Sequence, residues 1–182
     1  LPQTPAAAPP LEPAPQPLPE TMEGFATRYR ENCLKQQHPF LKGEPLRMLC
    51  ACSSSKLEET MTVDEVKTMM EDTPEGQQQR NRMAIYVYGP CMEHPMRAML
   101  LNNCANNKQV LAQHKYASEL CTCMADDIAA YIGANGQKEL EKRLTENPTD
   151  PDPLGGFMSN DAFQAMTQKS FLACVEKHAV TP

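Results

Sequence analysis

The chain has 182 residues, a formal net charge of −6 and a hydrophobic share of 41%, with only 5% aromatic residues and no Trp. Lys and Arg are scattered along the chain, which argues against nucleic acid or an anionic membrane surface as a partner, because both require a basic stripe. The sequence also has no run that approaches the about 18 apolar residues of a membrane-spanning helix.

The N-terminal residues 1–20 are rich in Pro and Ala, with eight prolines before residue 20. They show no apolar periodicity, so the sequence predicts a disordered or polyproline II tether. No basic start followed by an apolar stretch is present, and the chain therefore resembles an exported protein after signal removal. The tether would separate the folded part from a cleavage site or from a lipid anchor upstream of Leu1.

Four helices are predicted between the tether and residue 94. Apolar residues spaced four apart indicate a first helix over residues 20–36. Pro45 can occupy the first position of a second helix, and Thr62 with Glu65 forms a capping box that opens a third. The fourth helix has an inward stripe of Met83, Ala84, Val87, Tyr88 and Cys91.

Four more helices are predicted in the remainder of the chain. A first helix precedes a long helix over residues 113–132, and a short helix over Leu140 and Leu144 leads into a Pro, Asp and Gly-rich insertion at residues 145–156. A last helix follows the insertion. The residues expected to start or end these helices are Pro95, Gly133, Gly136, and Ser159 or Asn160.

Strand signals are weak throughout the chain. Only residues 85–88 (Ile-Tyr-Val-Tyr) combine the β-branched and aromatic side chains that favour strands, and their neighbours favour a helix. The sequence therefore predicts an all-α fold with no β-sheet.

The cysteines recur in a pattern. Residues 49–52 (Leu-Cys-Ala-Cys) return as residues 120–123 (Leu-Cys-Thr-Cys), and each copy follows a lone cysteine after sixteen intervening residues. The next cysteine comes after 38 residues in the first copy and 50 in the second, a difference equal to the twelve-residue insertion. We interpret residues 21–94 (the first unit) and 95–182 (the second unit) as a tandem duplication whose copies share one core.

Disulfide bonds are the expected role of the cysteines, because paired cysteines are typical of oxidising compartments and a Cys-x-Cys spacing chelates zinc poorly. Two cysteines separated by one residue on a helix point about 200° apart, so they can attach a central helix to two different neighbours. The bridges should therefore stay within each unit, and two pairings per unit remain open. The cysteines are Cys33, Cys50, Cys52 and Cys91 in the first unit and Cys104, Cys121, Cys123 and Cys174 in the second.

No motif of a known enzyme class occurs in the sequence. The composition instead indicates a periplasmic or secreted binding or adaptor protein without catalytic activity. Its partner would be another protein or a small apolar ligand, held where the two units meet. Aromatic and Met side chains that could form this surface are Tyr86, Tyr88, Met92, Met96 and Met99.

Two metal sites are alternatives. Met92, His94 and Met96 offer thioether and imidazole ligands suited to Cu(I), which would make the protein a periplasmic copper carrier. Asp150, Asp152 and Asp161 partly follow the spacing of a calcium-binding loop, although two prolines stiffen this segment. We expect these Met side chains to fill the core and the Asp-rich segment to be a solvated insertion.

Overall fold

The computed structural model describes residues 17–37, 39 and 41–179. Most of the predicted tether, residues 1–16, lies outside the described residues. All regular structure in the described ranges is helical, which confirms the all-α prediction. The helices are α1 (Met22–Lys35), α2 (Glu44–Thr60), α3 (Val63–Met69), α4 (Pro74–Arg82), a π-helix (Met83–Tyr88), a 3₁₀ turn (Gly89–Cys91), α5 (Glu93–Ala105), α6 (Lys108–Gln113), α7 (Ala117–Glu146), α8 (Pro153–Met158) and α9 (Asp161–Ala179).

Several helices begin at side chains that cap them. The backbone N–H of Glu65 donates to the Thr62 hydroxyl over 3.3 Å, and the backbone N–H of Thr62 donates to the Glu65 carboxylate over 2.8 Å. This reciprocal pair is the predicted capping box of α3. At α9 the cap is Asn160, whose side-chain oxygen accepts from the backbone N–H of Phe163 over 2.7 Å.

Four disulfides use all eight cysteines, which confirms the prediction that the cysteines form disulfide bonds. In each unit the first cysteine of the Cys-x-Cys pair joins the preceding helix and the second joins the following cysteine. The bridges are Cys33–Cys50, Cys52–Cys91, Cys104–Cys121 and Cys123–Cys174. Each bridge therefore lies within one unit, and such a set is typical of an oxidising environment.

The first unit packs around α2, which contacts α1, the π-helix and α5. Its apolar side chains meet those of α1 and the π-helix in one buried cluster. The bridges Cys33–Cys50 and Cys52–Cys91 attach α2 to α1 and to the 3₁₀ turn that follows the π-helix. The buried cluster consists of Phe25, Leu57, Met61, Val66, Met83 and Val87.

The second unit packs around α7, which contacts α5, α8 and α9. The predicted end of this helix at Gly133 and Gly136 is wrong, because α7 continues through both glycines to Glu146 and absorbs the predicted short helix. Gly136 is buried beside the 3₁₀ turn, so packing compensates for its low helix propensity. The buried cluster consists of Met92, Met96, Ile128, Ile132, Phe157 and Phe163.

The strand-like residues 85–88 lie in the π-helix, which connects the two units. Met83 and Val87 face the first cluster, whereas Ile85 packs against Leu140 and Leu144 of α7 in a third buried cluster. A helix buried on two sides needs apolar residues at closely spaced positions, which explains the unusual composition of this stretch. The adjoining Gly89 lets α7 approach closely, since a Cβ at this position would lie 3.0 Å from the Cα of Gln137.

The sequence analysis expected a solvated insertion, but part of this segment forms a helix that packs against the core. Asp152 caps α8 by accepting from the backbone N–H of Gly155 over 2.9 Å, and Pro153 takes the first helical position. This short helix directs Phe157 into the second cluster, where only 2% of its surface is exposed. Among the described residues, no helix has both the length and the apolarity that crossing a bilayer would require.

Candidate functional site

A groove of about 850 Å³ lies where the two units meet. One wall consists of residues 72–74, 77–78, 80–82 and 85–86, from the start of α4 to the π-helix, and the other of residues 141, 144–145 and 148–149, at the end of α7 and beyond. We call it the junction groove. The sequence had placed a binding site at this boundary between units.

The first wall is held in place by hydrogen bonds around α4. The Thr73 hydroxyl accepts from the backbone N–H of Gly76 over 3.0 Å and so caps the helix. The Arg80 guanidinium donates to the carbonyls of Met69 and Glu71 over 2.9 and 2.8 Å, which closes the turn between α3 and α4. The polar side chains of α4 therefore stand on a fixed helix at the edge of the groove.

Two hydrogen bonds join the walls across the junction. The Asn81 side-chain amide donates to the carbonyl of Pro148 over 2.7 Å. The Tyr86 hydroxyl donates to the Glu141 carboxylate over 3.1 Å, and this bond raises the pKa of Tyr86 above its usual value. Both bonds connect the first wall to the second and so fix their separation.

An arginine supports the aromatic residue in the groove. The Arg82 guanidinium lies 5.5 Å from the centre of the Tyr86 ring, within the range of a cation–π interaction. The same guanidinium forms an ion pair with Glu65 at 3.4 Å and donates to the carbonyl of Thr60 over 3.3 Å. Arg82 therefore serves mainly to orient Tyr86 and to connect the groove wall to α2 and α3.

The floor of the groove is apolar. Ile85 and Leu144 line it and are 8% and 4% exposed, and both belong to the cluster that joins the units. Amide and hydroxyl side chains surround this floor, among them those of Gln77, Gln78 and Thr145. The walls also carry two acidic and two basic side chains, Asp72, Glu141, Arg80 and Arg82. An apolar floor with polar walls can take up an apolar side chain and hydrogen-bond the main chain beside it.

The five residues predicted as a binding surface do not come together. Tyr86 lines the junction groove, but Tyr88 packs against Tyr29 with ring centres 6.4 Å apart. Burial and a hydrogen bond to Tyr29 raise the pKa of Tyr88. Met92 and Met96 are buried in the second cluster, where Met99 packs against them. The prediction of one surface from these residues therefore needs correction, because helical packing uses most of them as core.

The predicted copper ligands have packing roles in this structure. Met92 and Met96 are 9% and 4% exposed and contact apolar side chains, while His94 is half-buried in the first turn of α5. Cys91, which lies beside them in sequence, is bonded to Cys52. No contact of these residues favours a metal carrier over a protein core.

The predicted calcium ligands are engaged elsewhere. Asp150 pairs with the Arg143 guanidinium, Asp152 caps α8, and Asp161 lies in the first turn of α9. Within residues 17–37, 39 and 41–179, the one group of three potential metal ligands among His, Cys, Asp and Glu is Cys123, Asp127 and Cys174. Its two sulfurs form a disulfide and cannot act as thiolate ligands while the bond is intact.

Most residues of the junction groove were missed by the sequence analysis. Gln77, Asn81 and Leu144 belong to ordinary helical segments, and Pro148 lies in the insertion that was read as solvated. The available signals were the glutamine run at residues 77–79 and the strand-like residues 85–88. Neither signal identifies a partner on its own.

Comparison with protein-family models, with curated proteins and with solved structures gives no match for this chain. Its function must therefore be argued from its own residues.

Proposed function

We propose that this protein is an exported, non-enzymatic binding protein that holds an extended segment of a partner protein in the junction groove. The observation that carries the proposal is the groove's construction from both units, with an apolar floor of Ile85 and Leu144 and walls that carry amide, hydroxyl and charged side chains. Amides donate and accept hydrogen bonds, so the exposed Gln78 matches the N–H and C=O groups of a peptide main chain. The Gln77 amide accepts from Arg80 over 3.2 Å and donates to Asn81 over 2.9 Å, so it holds the wall of the groove in place.

The dimensions of the groove support this proposal. Its volume of about 850 Å³ lies within the range of about 300–1,000 Å³ common for ligand sites. Tyr86 supplies the kind of rigid aromatic side chain that is enriched in binding hot spots.

The arrangement of helices supports the duplication hypothesis. In both units a lone cysteine joins the first cysteine of a central helix across 17 positions, and the second cysteine of that helix joins a later helical segment. Two such cross-linked units would form a rigid frame for a groove between them, and rigidity lowers the entropic cost of binding. The four disulfides also support a periplasmic or secreted location.

A peptide-selection experiment tests the proposed function. Random peptides displayed on phage are selected against the wild-type protein, and the enriched peptides are then measured against three variants. Gln78→Trp and Thr145→Trp each place a large ring on an exposed position of one groove wall, and Gln168→Trp makes a matched change on the exposed face of α9. We expect the two groove variants to weaken binding by about tenfold or more, equivalent to about 1.4 kcal/mol.

The control variant Gln168→Trp should bind the selected peptides as tightly as the wild type, because its side chain lies outside the groove. Enrichment of no peptide, or equal binding to all three variants, would contradict the proposal. Far-UV circular dichroism verifies that the variants keep the helical fold.

A further inference from the structure

A second, smaller pocket lies at the far end of α7 from the junction groove. Its volume is about 230 Å³. The disulfide Cys104–Cys121, which closes one of the two shorter loops, forms part of its wall. We call it the distal pocket. Leu120 of this pocket and Leu144 of the junction groove are about 36 Å apart along α7 at 1.5 Å per residue. Its apolar lining consists of Leu100, Val110, Leu120, Met124, Ile128 and Phe171.

Two tyrosines occupy the matching sequence positions in the first unit. Tyr29 lies four residues before Cys33 and Tyr88 three before Cys91, while Leu100 lies four residues before Cys104 and Phe171 three before Cys174. In the first unit the two phenol rings pack together at 6.4 Å. In the second unit, Leu100 and Phe171 provide one ring fewer and no hydroxyl groups, and both line the open distal pocket.

A basic rim adjoins the distal pocket. A neighbouring depression of about 220 Å³ shares Leu120 with it and is lined by His114, Lys115 and His178. The His114 ring meets Phe171 edge-on with 5.9 Å between ring centres, so the imidazole stands at the pocket wall. Although the chain has a net charge of −6, Lys115 places a positive charge near the apolar pocket, and the two histidines add hydrogen-bonding groups.

We propose that the distal pocket binds a small hydrophobic carboxylate, with its hydrocarbon part inside and its carboxylate in the neighbouring depression that Lys115 lines. The Lys115 ammonium lies 5.3 Å from the centre of the Tyr116 ring, which also lines that depression. An apolar cavity of about 150 Å³ is known to hold benzene, so a cavity of about 230 Å³ has room for one ring with a short chain. The opposite charges of carboxylate and ammonium then select an anionic ligand over a neutral one of the same shape. This site is independent of the proposed function of the junction groove.

The test compares phenylpropionate with phenylpropanol, which has the same hydrocarbon part and no charge. Titration of the complete chain is followed by amide chemical shifts and by calorimetry. We expect both ligands to shift resonances around Val110 and Phe171, with phenylpropionate binding about fivefold tighter, because a partly exposed ion pair contributes up to about 1 kcal/mol. Lys115→Met should reduce this ratio towards one.

Filling the pocket should weaken the binding of both ligands. The double variant Leu100→Tyr/Phe171→Tyr installs the tyrosine pair of the first unit and should weaken both ligands by about tenfold or more. Val110→Phe fills the pocket from α6 and serves if the double variant does not fold. The matched control Tyr29→Leu/Tyr88→Phe alters the first unit and should leave the chemical-shift changes at the distal pocket unchanged.

Three results would overturn the proposal. They are the absence of binding by either ligand up to its solubility limit, equal affinity for the acid and the alcohol, and wild-type affinity in a folded variant with the pocket filled.

Discussion

Removing one disulfide at a time should destabilise the protein in an order set by loop length. Four variants replace both cysteines of one bridge with Ala and leave the other three bridges intact. The bonded cysteines are 17 positions apart in both Cys33–Cys50 and Cys104–Cys121, 39 apart in Cys52–Cys91 and 51 apart in Cys123–Cys174. Because Cys33–Cys50 and Cys104–Cys121 close loops of equal length, the variants that lack them serve as controls for each other.

The chain-entropy model gives the expected losses in the free energy of unfolding. Each 17-residue loop contributes about 3.1 kcal/mol, the 39-residue loop about 3.9 kcal/mol and the 51-residue loop about 4.1 kcal/mol. Every bridge has one member that is at most 3% exposed, so the loss of buried sulfur is similar in all four variants. Loop length should therefore dominate the differences between variants.

Urea unfolding followed by far-UV circular dichroism measures these free energies, provided the transition is two-state. We expect the variant without Cys123–Cys174 to be about 1 kcal/mol less stable than the variant without Cys104–Cys121. The two variants that lack a 17-residue loop should agree with each other. A short-loop variant that is less stable than both long-loop variants would refute the reasoning.

Three further predictions concern the packing between the units and the tyrosine pair. Ile85→Ala should lower the free energy of unfolding in urea by about 2–5 kcal/mol by opening the buried cluster at the junction, whereas Leu172→Ala, at a position 59% exposed, should change it by less than about 0.5 kcal/mol. Gly89→Ala should lower the free energy of unfolding by about 1–3 kcal/mol in the same assay, because the new Cβ would press on the backbone of α7. Gly133→Ala should leave it unchanged or raise it, because the new Cβ meets only the end of a flexible carboxylate. Folding raises the pKa of Tyr88 above 10.0, so the unfolded chain releases the phenol proton at a lower pH than the folded chain. The free energy of unfolding should therefore fall as the pH rises above about 10. Urea titrations at several pH values should show a smaller fall for Tyr88→Phe.

The spacing of cysteines was informative because covalent closure restricts the possible folds. Two cysteines on opposite sides of one helix must join two different neighbours, which predicts bridges on both sides of α2 and α7. The sequence could not decide the direction of pairing, because either face of a helix can turn towards either neighbour. The structure resolves it identically in both units, with Cys50 joined to Cys33 and Cys121 to Cys104.

The length of α7 and the presence of α8 could not be read from local signals. A glycine costs a helix about 1 kcal/mol, and this cost alone favours ending α7 at Gly133. Contacts along α7 with α5 and the 3₁₀ turn outweigh it. In the insertion, Asp152 and Pro153 are a typical helix start, but the surrounding Pro and Asp residues obscured the signal.

The sequence indicated a region for the candidate site but not most of the residues that line the junction groove. The boundary between the units was predicted as the binding region, and Tyr86 does line the junction groove. Amide side chains such as Gln77 carry no motif, so only their position beside the end of α7 identifies them. Met92, Met96 and Met99 were offered both as a binding surface and as core residues, because helix periodicity does not distinguish a core face from an exposed face when both are apolar. The structure packs them in the second cluster.

Because every disulfide closes within one unit, no covalent bond other than the main chain links residues before Cys91 to residues after Cys104. A protease that cuts between residues 92 and 103 would yield two fragments that separate on a denaturing gel without reductant. A single cut between Cys52 and Cys91, or between Cys123 and Cys174, would leave the pieces migrating together until thiol is added. The peptide map of a partially digested sample thus distinguishes the connecting segment from the interior of either unit.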